Sequence, residues 1–229
     1  DGNPIGARQD HATIDPETPN KAEEGRFDEI RSCIACHHGC VKNLLNNVPI
    51  QCILNPTLGR ESEVSLEKTA APKNIMVIGS GPAGLEAAIT AASRGHRVKV
   101  FEKNRWAGGQ FRIGAVPPGK GEMINYINWQ LNELEKLNVP VLMETEVTPE
   151  LVKKEKPDVI FAATGAEPII PNIPGADRPN VVTAHDVLSG KVNTGNSVVV
   201  VGGGCVGAET ANQLANYLKG VTIIEMLDA

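Results

Sequence analysis

Val77-Ile78-Gly79-Ser80-Gly81-Pro82-Ala83-Gly84 returns later in the chain as Val200-Val201-Gly202-Gly203-Gly204-Cys205-Val206-Gly207. The two copies lie 123 positions apart (202 minus 79). Each starts on a short apolar β run and opens a helical stretch. Each is followed by a second β run that ends in an acid, Glu102 and Glu225, again 123 positions apart (225 minus 102). This is the pattern of a mononucleotide-binding unit. The first glycine makes the tight turn, the second lets the backbone approach a pyrophosphate, and the third lets helix and strand pack closely. The helix N-terminus offers free N–H groups to the phosphates, and the acid accepts hydrogen bonds from ribose hydroxyls. Gly79, Gly81, Pro82, Ala83, Gly84 and Glu102 are the expected ligand contacts of the first unit. Gly202, Gly204, Val206, Gly207 and Glu225 are those of the second.

Between and around these loops, strand and helix signals alternate. Ile75 to Ile78, Val98 to Phe101 and Val159 to Ala162 read as strands. Ala83 to Ser93 and Glu122 to Leu137 read as helices, the latter with Met123, Ile124, Ile127, Leu131, Leu134 and Leu137 at helical spacing. Alternation of this kind predicts a parallel α/β sheet. The expected fold is therefore α/β, with two Rossmann-like dinucleotide-binding units preceded by a small cysteine-rich segment. The expected divisions are a connector over 1–25, a cysteine segment over 26–70, one dinucleotide-binding domain over 71–195 and the start of a second over 196–229. The connector is rich in Pro, Asp, Asn and Gly with no apolar period and reads as loop.

The 229 residues are 41% hydrophobic and 21% charged, with a net charge of −5, an ordinary composition for a globular protein. The negative balance gives no reason to expect a nucleic-acid or membrane-surface partner. No apolar run approaches the roughly 20 residues that span a bilayer. No charged-then-apolar leader precedes the first motif, and a cytoplasmic enzyme is the expected class. The first residue is Asp1 and the last β run ends as soon as it has formed, so the chain reads as a piece of something longer.

Cys33, Cys36, Cys40 and Cys52 give C-x2-C-x3-C-x11-C. Three thiolates close in sequence and a fourth further on suit an iron–sulfur cluster, and zinc also accepts four cysteines. Thiolate chemistry alone favours the cluster over zinc. His37 and His38 lie inside the motif and are expected to pack near the cluster or donate hydrogen bonds that tune it. Cys205 has no partner cysteine two or four residues away and is expected to be a small packing residue. His11 and Asp15 suggest no specific role. Arg105 and Trp106 either flank a dinucleotide or cover its loop.

Ala107-Gly108-Gly109-Gln110 and Phe161-Ala162-Ala163-Thr164-Gly165-Ala166-Glu167-Pro168, taken with the two loops, resemble the two-dinucleotide-binding flavoproteins, the group that includes glutathione reductase. The resemblance covers about residues 73–229. It implies that the first loop holds FAD, that the A-T-G segment closes the FAD domain, and that an inserted NAD(P)H domain begins beyond it. It adds Gly109, Gln110, Thr164 and Gly165 to the FAD side, and Val147 is a further candidate for backbone contact with the adenine. In that family the chain returns to finish the FAD domain, so the flavin site within these residues is expected to be incomplete.

The run Glu24-Gly25-Arg26-Phe27-Asp28-Glu29-Ile30-Arg31-Ser32-Cys33-Ile34-Ala35-Cys36, with Cys52-Ile53-Leu54-Asn55-Pro56, resembles the 2,4-dienoyl-CoA reductase and 2-enoate reductase family. These are old-yellow-enzyme-type iron–sulfur flavoenzymes. The resemblance implies an FMN barrel, a [4Fe–4S] segment held by the four cysteines, and FAD and NAD(P)H domains. Electrons would run from NAD(P)H to FAD, through the cluster, to FMN, and onto an activated C=C bond of an enoate, enone or acyl-CoA. The barrel would be a partner domain or subunit that carries the catalytic proton donor, so these residues alone are not expected to reduce an enone. Glu225 leads to the expectation that the nicotinamide donor is NADH rather than NADPH, with Asp228 adding to the repulsion of a 2′-phosphate. Two other readings stay open: an amine dehydrogenase of the trimethylamine dehydrogenase type, and a stand-alone electron-transfer subunit. Whether the protein forms homo-oligomers is also open.

Overall fold

The computed structural model describes residues 14–64 and 66–227. His11 and Asp228 lie outside them. The chain divides into two compact units, Asp1–Gly109 with Glu122–Thr164, and Gln110–Gly121 with Gly165–Ala229.

The first unit is built on a parallel sheet of β1 (Asn74–Ile78), β2 (Arg97–Phe101), β3 (Val141–Leu142) and β4 (Val159–Ala162), in the order β3-β2-β1-β4. Val77 of β1 pairs with Val100 on one side and Phe161 on the other. The order reverses on either side of β1, so the carboxyl end of that strand is the switch point at which such sheets bind ligands. Helix α1 (Thr18–Glu23) and helix α2 (Val41–Leu45) precede the sheet, and helix α3 (Pro82–Ser93) links β1 to β2. Pro82 at the first turn of α3 has the φ a helix needs and lacks an N–H that would go unused. Leu85, Ala88, Ile89 and Ala92 form its buried stripe. The helix stops at Gly95, whose φ of +87° allows the His96 N–H to reach Ala91 O and the Gly95 N–H to reach Ala92 O.

Helix α4 (Gly109–Gly114) comes next, then helix α5 (Met123–Lys136), and helix α6 (Pro149–Glu155) lies between β3 and β4. The side chain of Thr148 accepts the Leu151 N–H and caps α6. The buried face of α5 differs from the expected apolar stripe. Tyr126, Ile127, Trp129, Gln130 and Leu134 are buried, whereas Met123, Ile124, Leu131 and Leu137 are only partly covered. The helix is turned because it packs on two sides, against α3 and against the cysteine segment.

The connector also departs from expectation. Among its described residues Thr18–Glu23 are helical rather than loop. The helix has no apolar stripe to betray it. It is organised by Asp15, whose backbone oxygen accepts from the Thr18 hydroxyl and whose carboxylate accepts from Lys21 Nζ at 2.7 Å. Asp15 itself is buried. Its carboxyl is shielded from water, which alone would raise its pKa. Hydrogen bonds from Lys21 and from the Arg31 and Glu17 N–H groups outweigh that and hold it below the usual range.

The second unit contains helix α7 (Ala184–Leu188), then β5 (Ser197–Val201), helix α8 (Cys205–Asn216) and β6 (Gly220–Ile224), with β5 and β6 parallel. Here the internal repeat becomes geometry. Shifting β1, α3 and β2 by 123 positions lands on β5, α8 and β6 residue for residue. Even the helix stop is repeated: Leu218 stands at the position of Gly95 with φ +60°, a conformation a side chain tolerates poorly. The expected α/β class, with Rossmann-like parallel units behind a cysteine-rich segment, is the class observed. No described helix is long and apolar enough to cross a membrane.

Candidate functional site

The first glycine loop leaves β1 at its carboxyl end. Gly79 has φ +102°, and a Cβ there would lie 2.3 Å from Ala163 O, so only glycine fits. Gly84, on the first turn of α3, faces the carbonyl of Gly79, which a Cβ would meet at 2.0 Å. Gly81 is different. Its φ of −68° suits any residue, and among the described residues a Cβ there meets no atom beyond its chain neighbours within 4 Å. The space in front of Gly81 is thus open, at the N-terminus of a twelve-residue helix, where a pyrophosphate would sit. Pro82 and Ala83 begin that helix.

The residues expected beside this loop lie close to it where they belong to the same unit. The Gly108 N–H donates to Ser80 O at 2.8 Å, and Gly109 stands with its Cβ position 3.5 Å from Gly81 Cα. Thr164 Cα is 3.5 Å from the Cβ position of Gly79. The Thr145 N–H donates to the carbonyl of Glu102, which brings the stretch leading to Val147 alongside the acid. Gln110 and Gly165 fall in the second unit, where Gln110 donates through its amide to Ala166 O. Trp106 is exposed with the Arg105 guanidinium 5.0 Å from its ring centroid.

Glu102 is buried and its carboxylate accepts four hydrogen bonds. Oε2 accepts from the N–H and hydroxyl of Ser80 at 2.9 and 2.8 Å. Oε1 accepts from the N–H and side-chain amide of Asn104 at 2.8 and 2.7 Å. Burial would raise its pKa, but these donors from Ser80 and Asn104 lower it, so the group is an anion at neutral pH. A carboxylate offers about four lone-pair positions, and all are taken. A further donor would reach Glu102 only by replacing the Ser80 hydroxyl or the Asn104 amide, the two donors that can rotate away.

The second loop follows the same plan. Gly202 has φ +102°, a Cβ on Gly207 would lie 1.9 Å from Gly202 O, and the space at Gly204 is open. Glu225 Oε2 accepts the Gly203 N–H at 2.6 Å, as Glu102 accepts that of Ser80. Oε1 accepts the N–H groups of Met226 and Leu227. The bonds from Leu227, Gly203 and Met226 lower the pKa of Glu225. Glycine replaces Ser80 here, so one position on Oε2 remains for a ligand. Val206 is exposed at the helix start, and Cys205, the first residue of α8, is exposed rather than packed.

The four expected cluster cysteines line one pocket, with Ile14, Ile34, His37, Gly39, Gln51, Ile53 and Leu54 completing its wall. The fourth cysteine is brought back across eleven intervening residues by one close contact. The Gln51 N–H donates to Gly39 O at 2.9 Å, and a Cβ on Gly39 would lie 2.5 Å from Gln51 O. Two of the sulfurs already accept peptide N–H groups: Cys33 Sγ from Ala35 at 3.2 Å and Cys52 Sγ from Leu54 at 3.4 Å. Ala35 and His37 hold left-handed conformations that turn the motif around the pocket. His37 is part of the wall and His38 is exposed. Among the described residues no three His, Cys, Asp or Glu side chains converge on a point that could hold one metal ion. Four thiolates lining one pocket suit a cubane, in which each takes a separate iron.

Residues 73–229 match the pattern of the family described as pyridine nucleotide-disulphide oxidoreductase. The chain belongs to that family. With membership come its cofactors, FAD and NAD(P)H. The chain is 44% identical over 219 residues to a protein named NADH oxidase from Thermoanaerobacter brockii, covering 93% of this chain and 34% of that one. It is 40% identical over 212 residues to a cinnamate reductase from Clostridium sporogenes, covering 93% of this chain and 32% of that one. Among solved structures, a 2-naphthoyl-CoA reductase superposes with a TM-score of 0.90 at 35% identity, covering 93% of this chain and 33% of the other. The chain thus spans about a third of the length of these relatives. The similarity runs through the cysteine segment as well as both glycine loops.

Sequence reasoning missed the residues that join the cysteine pocket to the dinucleotide-binding sheet. The Trp129 indole N–H donates to Glu29 O at 3.0 Å, and the Asn132 amide donates to Asp28 O. Lys136 pairs with Glu29 at 3.1 Å. Arg31 lies over the Trp129 ring, 4.1 Å from its centroid, and donates through Nη1 to Leu54 O. Gln130, fully buried, continues inward and donates to Pro82 O at the start of α3. The available signal was an aromatic and an amide on what otherwise read as a simple amphipathic helix.

Proposed function

We propose that this chain is the electron-transfer portion of an NADH-dependent iron–sulfur flavoprotein ene-reductase. A single observation carries the reading: four cysteines face one pocket, and that pocket is fastened through Arg31, Trp129 and Gln130 to the helix of an FAD-type glycine loop. FAD and a [4Fe–4S] cluster, when bound, supply hydride acceptance and one-electron transfer respectively. Gly79, Gly81 and Gly84 shape the FAD pyrophosphate site. Pro82 and Ala83 present the helix end, and Glu102 holds the loop and meets the ribose. Gly109, Gln110, Val147, Thr164 and Gly165 belong to the same cofactor's surroundings. Gly202, Gly204, Val206, Gly207 and Glu225 hold the nicotinamide dinucleotide. Cys33, Cys36, Cys40 and Cys52 hold the cluster, with the Ala35 and Leu54 N–H groups as donors to sulfur. The modular division, cysteine segment then FAD domain then NAD(P)H domain, is part of the same proposal.

The onward partner is an FMN barrel, as a domain or a subunit, that reduces an enoate, enone or acyl-CoA. Leu44, Leu45, Val48, Ile50 and Ile53 support a docking body at the cysteine segment, since all five stay exposed around it. The cytoplasm is the proposed compartment.

The test is the cluster itself. Anaerobically purified full-length protein is expected to hold about four irons and four sulfides for this segment. Cys52→Ala removes most of both and Cys205→Ala neither. Stoichiometric zinc without sulfide refutes the cluster.

Cofactor choice gives a second expectation. Glu225 is anionic, and the free position on Oε2 accepts a ribose hydroxyl but repels a 2′-phosphate. FAD reduction in the full-length protein should therefore prefer NADH, and Glu225→Ala should shift the preference toward NADPH by roughly tenfold. Stopped-flow reduction by each donor reads the ratio. A wild type that prefers NADPH, or an unchanged ratio in the variant, removes Glu225 from that role.

A further inference from the structure

Among the described residues no carboxylate forms an ion pair with Arg31. Its guanidinium is sandwiched between the Trp129 ring at 4.1 Å and the carbonyl of Leu54, to which Nη1 donates at 2.9 Å. Its Nε is sealed from solvent and donates to no atom among the described residues. The carboxylates of Asp15 and Glu29 are committed elsewhere, and Glu86 takes the Tyr126 hydroxyl and the Gln130 amide. Asp15 pairs with Lys21 and takes only the backbone N–H of Arg31, while Glu29 pairs with Arg26 and Lys136. A guanidinium drawn out of water without a counter-charge is costly unless a negative charge stands within reach.

The residue that receives its hydrogen bond identifies that charge. Leu54 is buried, lines the cysteine pocket, and gives its own N–H to Cys52 Sγ. The guanidinium therefore stands one residue's thickness behind the wall of the pocket, on the Cys52 side. Tyr126 stacks on Trp129 and extends the same cluster. A cubane ligated by four thiolates is net anionic and gains one more negative charge on reduction. A fixed positive charge at its edge stabilises the reduced form more than the oxidised one.

We propose that Arg31, clamped by Trp129, is the counter-charge of the cluster and raises its reduction potential, which sets how readily the cluster accepts an electron from the flavin side. Arg31 is a positioning and tuning residue, with no contact to substrate. The inference rests on the reading that the four cysteines hold a [4Fe–4S] cluster.

The experiment is a potentiometric titration of full-length protein, followed by the electron paramagnetic resonance signal of the reduced cluster, after iron and sulfide have been counted. Arg31→Gln is expected to keep its iron and sulfide and to titrate at a lower potential than wild type. Arg31→Lys, which keeps the charge, is expected to stay close to wild type. Trp129→Leu releases the guanidinium and is expected to lower the potential as well, and it serves where Arg31→Gln fails to load. Loaded Arg31→Gln or Trp129→Leu at the wild-type potential overturns the inference, as does an Arg31→Lys shift as large as that of Arg31→Gln. Wild type without iron and sulfide overturns instead the cluster reading beneath it.

Discussion

Gly84→Ala is expected to unfold the FAD-type unit or leave it barely stable. Helix propensity argues the other way, since alanine inside a helix gains about 1 kcal/mol over glycine. Space decides the matter. The new Cβ would lie 2.0 Å from the carbonyl oxygen of Gly79 and 3.2 Å from the Cβ of Ala163. Gly79 cannot retreat, because its own Cα is packed against Ala163 O and its φ of +102° is fixed by the turn. Overpacking against movable side chains costs about 1–3 kcal/mol. Here the obstacle is backbone, so the net loss should be about 3 kcal/mol or more, out of a typical 5–15 for a whole domain. Chemical denaturation followed by circular dichroism measures it, and an unchanged midpoint contradicts the packing account. Gly207→Ala meets the carbonyl of Gly202 at 1.9 Å and should do the same to the second unit.

Gly81→Val should show the opposite pairing of effects, a folded protein that has lost FAD. The backbone at Gly81 is extended, so a β-branched residue adopts it without strain, and among the described residues no atom beyond its chain neighbours lies within 4 Å of the new Cβ. That empty volume faces the first turn of α3, where pyrophosphate oxygens would accept helix N–H groups. A valine there displaces the ligand and forfeits several charge-assisted hydrogen bonds, each worth about 1.5–3 kcal/mol. Loss of more than two orders of magnitude in FAD affinity follows. The readout is flavin absorbance per folded chain in the full-length protein, with the unfolding midpoint as control. Wild-type flavin content in a folded Gly81→Val protein removes the first loop from the FAD site.

The contrast between these two glycines shows what was legible in the sequence. Glycine spacing, flanking apolar runs and the distant acids are local signals, and the repeated strands and helices of both units stood where those signals put them, whereas β3, α4, α6 and α7 were not foreseen. The four cysteines were legible for the same reason. Helix Thr18–Glu23 was not, because six residues with no buried face carry no periodicity. Asp15, Arg31, Trp129 and Gln130 were not, because their burial depends on partners up to 100 residues away, as between Trp129 and Glu29. Gln130 is the clearest case. A polar residue on a helix reads as solvent-facing, yet it is fully buried because Pro82 O, Glu86 and Tyr126 take its amide hydrogens. Glu102 was assigned to a ribose from its position alone. Its four internal hydrogen bonds belong to side-chain geometry, which spacing does not encode.

The repeat that places β1, α3 and β2 onto β5, α8 and β6 is close to a translational symmetry, and symmetry carries no information about which of two ligands goes where. Both loops have the same turn, the same helix length and the same acid-to-backbone bond, so neither backbone can tell one dinucleotide from the other. Within the loops the symmetry is broken at four positions: Ile78 against Val201, Ser80 against Gly203, Pro82 against Cys205 and Ala83 against Val206. The two halves share one grammar for holding a diphosphate, and any choice between ligands is written in the words where they differ.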